Sequence, residues 1–112
     1  MNVIVNTENQ VTNVEIIGDI DSKTATQIQA EVTPLIQPET KILLNMSQVG
    51  YMSSAGLRFL LGTYRTGSNN NARIVLVGVN KEIEETMSIT GFLRFFSIYD
   101  SPEAGLDALN EG

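Results

Sequence analysis

Cysteine and histidine are both absent from the 112 residues. Without thiols the chain holds no disulfide, no thiol nucleophile and no thiolate metal site, which suits a reducing compartment. Without imidazole it lacks the commonest general base near neutral pH and the commonest metal ligand. Positive charge is scarce: seven Lys and Arg stand against thirteen Asp and Glu, for a net charge of −6. The basic residues (Lys23, Lys41, Arg58, Arg65, Arg73, Lys81, Arg94) are scattered. The clustered positive patch that displaces counterions is missing, so no nucleic-acid partner is expected. No apolar run approaches the ~20 residues of a membrane span. Met1-Asn2-Val3-Ile4-Val5-Asn6 lacks the basic and apolar regions of a signal peptide. The expectation is a soluble, cytoplasmic protein with no membrane partner. The length fits one domain, residues 1–112.

What is present alternates between two periods. Val3 to Val5 and Val11 to Ile17 read as strands joined by the polar turn Asn6 to Gln10, a plausible hairpin. Gly18-Asp19-Ile20-Asp21-Ser22 breaks the pattern, and Asp21 or Ser22 can cap a helix. Ala25, Ile28, Val32, Leu35 and Ile36 follow at helical spacing, with Pro34 predicting a kink or an end near Thr33. Lys41 to Met46 carries the buried-strand run Ile42-Leu43-Leu44. A second helix runs from the serine segment to about Thr66-Gly67, followed by a loop over Ser68-Asn69-Asn70-Asn71. Arg73 to Val79 reads as a strand. Asn80 can cap the next helix, whose Glu82, Glu84 and Glu85 complement its dipole, and Gly91 suits a left-handed C-terminal position. Phe95 to Tyr99 is a further strand, and Pro102 opens a last helix with Ala104, Leu106 and Leu109 on its apolar side. Alternating strands and helices imply parallel pairing through right-handed crossovers. The fold class is α/β: a mixed, mostly parallel central sheet of four to five strands with about four helices.

The segment Tyr51-Met52-Ser53-Ser54-Ala55-Gly56-Leu57 carries the functional signal. Leu57, Leu60, Leu61 and Tyr64 share one helical face, so Ser53 and Ser54 lie where a strand meets a helix N-terminus. Orphan N–H groups and the macrodipole make that place partly positive. A hydroxyl there can be a cap, an anion site, a nucleophile or a phosphate acceptor. Local pattern alone favours the cap. The nucleophile elbow Gly-x-Ser-x-Gly lacks its leading glycine here, and no histidine exists to take the proton, so an enzyme is not expected. The glycine-rich phosphate loop ending in Gly-Lys-Ser/Thr does not occur. Phe59 lies nearly opposite Leu57, Leu60 and Leu61, so it either anchors a partner or is covered by a neighbouring helix. Met52 either lines the same surface or fills the strand end. Ala55 and Gly56 suit close approach of another backbone, or simply helix-start geometry.

With Ile42-Leu43-Leu44-Asn45-Met46-Ser47 before it, the serine segment resembles the signature of the STAS domain of bacterial anti-sigma factor antagonists. Gly18-Asp19-Ile20-Asp21 resembles that family's Gly-Glu-Leu-Asp-like turn. Thr90-Gly91-Phe92 through Ile98-Tyr99-Asp100-Ser101 fits its C-terminal part, so the resemblance covers nearly the whole chain. The family pattern reads Asp-Ser-Ser/Thr-Gly-Leu, with the serine after the aspartate accepting phosphate. Aligned on Gly56-Leu57, the acceptor is Ser54. Ser53 stands in the aspartate position and is the alternative acceptor. The resemblance implies a partner-switching regulator of transcription or a related signalling output. Its implied partners are an anti-sigma factor with serine protein kinase activity and a metal-dependent serine phosphatase. The candidate partner-binding set is Asp21, Met52, Ser53, Ala55, Gly56 and Phe59, and the resemblance implies for Asp21 a part in kinase recognition. No catalytic residue, metal or cofactor belongs to the chain on this reading. The expected state is a monomer or weak homodimer. The alternative is a non-phosphorylated STAS scaffold within a larger signalling assembly.

Overall fold

The computed structural model describes residues 1–111. Strands β1 (Asn2–Glu8) and β2 (Val11–Ile17) lead to α1 (Ser22–Val32) and a 3-10 turn (Thr33–Leu35). Then come β3 (Lys41–Gln48), α2 (Ser54–Asn69), β4 (Arg73–Val77), α3 (Lys81–Ile89), a second 3-10 turn (Leu93–Phe95), β5 (Ser97–Tyr99) and α4 (Pro102–Asn110). The strands form one sheet in the order β1-β2-β3-β4-β5. β1 pairs with β2 antiparallel, and the remaining pairs are parallel. The hairpin turn consists of Asn9 and Gln10, both at positive φ (52° and 67°), the geometry that suits the right-handed twist of the strands it joins.

Alternation along the strands divides the core in two. Val14, Ile16, Ile42, Leu44, Met46 and Leu76 pack with α1, α2 and α3 in the larger cluster. Val11, Leu43, Val75 and Val77 meet Leu109 of α4 on the other face. α4 approaches closely through Gly105, where a Cβ would lie 2.7 Å from Val77 Cγ1.

Local signals set most boundaries. Asp21, Ser53, Asn80 and Ser101 cap the four helices with their side chains. α1 stops at Val32 and tightens into the 3-10 turn over Pro34, which cannot continue the hydrogen-bond ladder. Gly91 has φ +79°. Several expectations need correction. Asn6, Thr7 and Glu8 continue β1, which leaves only Asn9 and Gln10 for the turn, and β3 runs past Met46 to Gln48. α2 runs on through Ser68 to Asn69, and the backbone N–H of Asn70 caps it by donating to Gly67 and its neighbours. β4 stops at Val77, because Gly78 takes φ +72° and a Cβ there would lie 2.9 Å from Ser47 Cα. β5 is only Ser97–Tyr99, since Leu93–Phe95 forms the 3-10 turn. The buried stripe of α2 is Gly56, Leu57, Phe59, Leu60, Thr63 and Gly67, rotated from the expected one. Both the sheet and α1 cover this helix, so its apolar arc is wider than one face. Phe59 is therefore a core residue, 4% exposed, while Tyr64 reaches the surface beside Phe95 and Phe96.

Candidate functional site

The first two helices begin side by side at the C-terminal end of the parallel strands. An isolated parallel bridge between Ile20 and Met52 holds them together. The Ile20 N–H donates to the Tyr51 carbonyl at 2.9 Å, and the Ser53 N–H donates to the Ile20 carbonyl at 2.8 Å. One residue beyond the bridge on each segment stands a cap: Asp21 for α1 and Ser53 for α2. A register shift between Glu15 and Ile17 against β3 lets the two loops leave the sheet together.

Asp21 is exposed, and one of its carboxylate oxygens is engaged as the cap. Its Oδ1 accepts from the backbone N–H of Thr24 at 2.9 Å and of Lys23 at 3.0 Å. The Asp21 N–H donates to Thr24 Oγ1, which closes a reciprocal capping box. The Thr24 N–H bond, with the Lys23 N–H, the Thr24 hydroxyl and the Lys23 charge, holds the Asp21 carboxyl below its ordinary value of 3.8, against a smaller desolvation effect. A carboxyl depressed on folding stabilises the fold above the ordinary carboxylate range and loses that contribution as pH falls through the depressed value. The Lys23 and Thr24 amide resonances are therefore expected to titrate with a midpoint below 3.8, followed by NMR; a midpoint at or above that value would contradict the capping geometry.

The two serines play different parts. Ser53 is half-buried, and its hydroxyl oxygen accepts from the Ala55 N–H at 3.2 Å. Ser54, the first residue of α2, is exposed. Ala55 is half-buried and packs against the core. Met52 is buried, 8% exposed, and Gly56 is buried beneath it. A Cβ on Gly56 would collide with Met52 Cγ and stand 3.1 Å from Ile20 Cγ2. Gly56 thus makes room for side chains of its own core rather than for a foreign backbone. Asp21, Ser53, Ser54 and Ala55 reach the surface together. Met52, Gly56 and Phe59 lie underneath, so of the two readings of Phe59 the covered one holds, and its place in the partner-binding set as a displayed anchor is corrected.

Sequence reading missed two contributors. Tyr51 is 55% exposed beside the bridge. Asn80 not only caps α3, accepting from the Ile83 N–H at 2.8 Å, but also ties down the loop before α2. Its Nδ2 lies 3.1 Å from the Gly50 carbonyl and 3.3 Å from that of Val49. The cap was legible from Asn80 itself, but the second role links segments about thirty residues apart and leaves no local pattern. Asn80→Asp keeps the cap acceptor and removes the donor. Hydrogen exchange of the residue 49–53 amides is expected to quicken in this variant, with the α3 amides unchanged. Asn80→Ala removes both functions and should cost about 0.5–2 kcal/mol through the cap alone, read by urea unfolding.

Among the described residues no group of three or more Asp and Glu is placed to hold a metal ion, and no helix is long and apolar enough to cross a membrane. The family model of the STAS domain matches residues 2–105. An anti-sigma-B factor antagonist of Staphylococcus aureus is 27% identical over 104 residues, spanning 92% of this chain and 96% of the relative. A Thermotoga maritima protein of known structure superposes with a TM-score of 0.88 at 18% identity, covering 97% of this chain and 95% of that one. The Bacillus cell-fate determinant SpoIIAA has the same fold. Its unphosphorylated form gives a TM-score of 0.78 at 17% identity, with 96% of each chain covered. Its phosphorylated form gives 0.73 at 16%, covering 97% of this chain and 100% of that one. The five-stranded mixed sheet, the paired helix starts and the match over nearly the full length agree: the chain belongs to the STAS domain family, among the anti-sigma factor antagonists.

Proposed function

We propose that Ser54 is a phosphate acceptor and that its esterification switches partner binding. The unmodified protein binds an anti-sigma factor that is also a serine kinase, and the modified protein is released from it. A metal-dependent serine phosphatase resets the switch. The output is transcriptional, and the setting is the cytoplasm, where ATP is available to the kinase.

The observation that carries this reading is the division of labour between adjacent hydroxyls: Ser53 is occupied as the cap, while Ser54 stands exposed on the first turn of α2. The S. aureus relative is named for antagonism of an anti-sigma factor, and SpoIIAA exists in phosphorylated and unphosphorylated forms. The chain acts as a substrate, not a catalyst. Phosphoryl transfer is mostly positioning and charge stabilisation, which the kinase supplies with its metal and base. The acceptor needs only an accessible hydroxyl on a rigid element.

A phosphate at this position adds roughly −1.5 to −2 charges. The α2 macrodipole favours it there by about 0.3–1 kcal/mol. Arg58 is exposed and stands four residues along the same helix, within the i, i+4 range of a charge pair. The fold therefore tolerates the modification, and the effect falls on recognition. Asp21 and Ala55 flank the acceptor as contact residues, with Met52, Gly56 and Phe59 holding the surface from below.

The test compares phosphate incorporation by the cognate kinase into wild type, Ser53→Ala and Ser54→Ala. Ser54→Ala should take up none. Ser53→Ala should be less stable by about 0.5–2 kcal/mol from loss of the cap and still be modified. Incorporation into Ser54→Ala at the wild-type level would refute the assignment.

A further inference from the structure

The sheet has two edges, and the fold treats them differently. The β5 edge is three residues long and begins one residue after a 3-10 turn. The β1 edge is seven residues long, Asn2–Glu8, and pairs with β2 without a register shift. It contains no Lys, Arg or Pro, the residues that usually blunt an open strand. Alternate residues of an edge strand direct their N–H and C=O groups away from the sheet, as a template for another strand. The middle of this strand is apolar on both faces: Ile4 is 43% and Val5 44% exposed, and adjacent residues point to opposite sides.

We infer that β1 is a self-association surface whose occupant is the β1 strand of a second copy, paired antiparallel about a twofold axis at Ile4. An axis normal to the sheet keeps each face continuous, so facing residues must share a face. Pairing about Ile4 meets that condition along the strand. Ile4 faces Ile4 of the second copy, Val3 faces Val5, and Asn2 faces Asn6. Apolar and β-branched side chains thus meet their own kind, which is a favourable cross-strand arrangement. Glu8 and Val11 flank the two-residue turn as a hydrogen-bonded pair, so by alternation Ile4 directs its N–H and C=O to Glu15 of β2, while Val3 and Val5 direct theirs outward and can bond reciprocally with Val5 and Val3 of the second copy. No charged residue lies between Asn2 and Thr7, and Glu8 falls beyond the paired span, so no like charges oppose. The surface is self-complementary, as an isologous contact requires. Ile17, at the end of β2 that leads to the Asp21 turn, pairs with Asn2. The twofold axis therefore sends the two switch sites to opposite ends of the dimer and leaves both open. Nothing in this pairing depends on whether Ser54 carries phosphate.

Sedimentation equilibrium of the wild-type chain from about 10 µM to about 1 mM should show the mass rising towards twice the monomer value, a weak dimer on the affinity scale. The absence of cysteine lets single thiols report contacts without background. Under a mild oxidant, Ile4→Cys should form disulfide-linked dimer at least about tenfold faster than Ile89→Cys, whose site is 86% exposed but away from β1, because pairing raises the local thiol concentration. Ile4→Lys should keep the wild-type circular dichroism and remain monomeric throughout. A wild type that stays monomeric over the whole range would overturn the proposal. So would association in which Ile4→Cys links no faster than Ile89→Cys.

Discussion

Gly56→Ala should destabilise the protein by about 1–3 kcal/mol, the usual cost of overpacking, although alanine is the better helix former by ~1 kcal/mol. The added methyl has nowhere to go. Its carbon would collide with Met52 Cγ, and it would lie 3.1 Å from both Met52 Sδ and Ile20 Cγ2. Methionine usually yields, having three rotatable bonds. Here it is enclosed, with Met52 8% and Ile20 0% exposed. The same two residues form the bridge that holds the helix starts together. Strain at Gly56 is therefore transmitted to the site as well as to the core. Urea unfolding should show a lower midpoint with an unchanged slope. Met52→Ala opens a cavity of its own, yet in the Gly56→Ala background it makes room for the methyl. The double variant should thus be more stable than the sum of the single losses by about 0.5–3 kcal/mol. A Gly56→Ala protein as stable as wild type would show that Met52 is not confined as described.

Ser54→Asp should lower affinity for the anti-sigma partner by about 100-fold or more, which corresponds to ~2.7 kcal/mol. A carboxylate carried into an interface forfeits hydration that the exposed Arg58, worth only about 0.2–0.5 kcal/mol as an i, i+4 partner, does not restore. One negative charge is less than a phosphate brings, so this figure is a lower bound for the modified protein. Stability should be unchanged or slightly higher, because an anion on the first turn of α2 complements its dipole. Ser54→Ala supplies the control: loss of a small rim hydroxyl is close to neutral in most interfaces, so its affinity should stay near wild type. Isothermal titration of the three proteins separates the possibilities. Equal binding by all three would remove the electrostatic switch. Equal loss in the alanine and aspartate variants would mean that the hydroxyl itself is the contact.

The helix starts were legible because capping is local. Asp21, Asn80 and Pro102 each announce an N-terminus through chemistry contained within a few residues, and all three act there. Ser53 and Ser54 could be placed at a helix start, but which one caps depends on a single hydroxyl's direction. The rotation of α2 was not legible. Leu57, Leu60, Leu61 and Tyr64 form a plausible single stripe, yet α1 and the sheet cover two sides of the helix, so Phe59 and Thr63 go in while Tyr64 stays near the surface. The Ile20–Met52 bridge and the Asn80 tie escaped notice for the same reason: both join residues about thirty apart, and both end on backbone carbonyls, which every residue carries. Sequence reading therefore found the hydroxyls and offered Met52, Gly56 and Phe59 either as surface or as scaffold, and only packing decided that they lie beneath.

The most direct test uses the authentic modification. The chain, stoichiometrically phosphorylated at Ser54 by its kinase, is compared with the unmodified chain for partner affinity and for its amide NMR spectrum. Partner binding should collapse, while resonance changes stay confined to the turn around Asp21, the loop before α2 and that helix's first turns. Undiminished binding by the phosphorylated chain, or a spectrum altered throughout the sheet, would contradict a switch that acts on recognition and leaves the architecture alone.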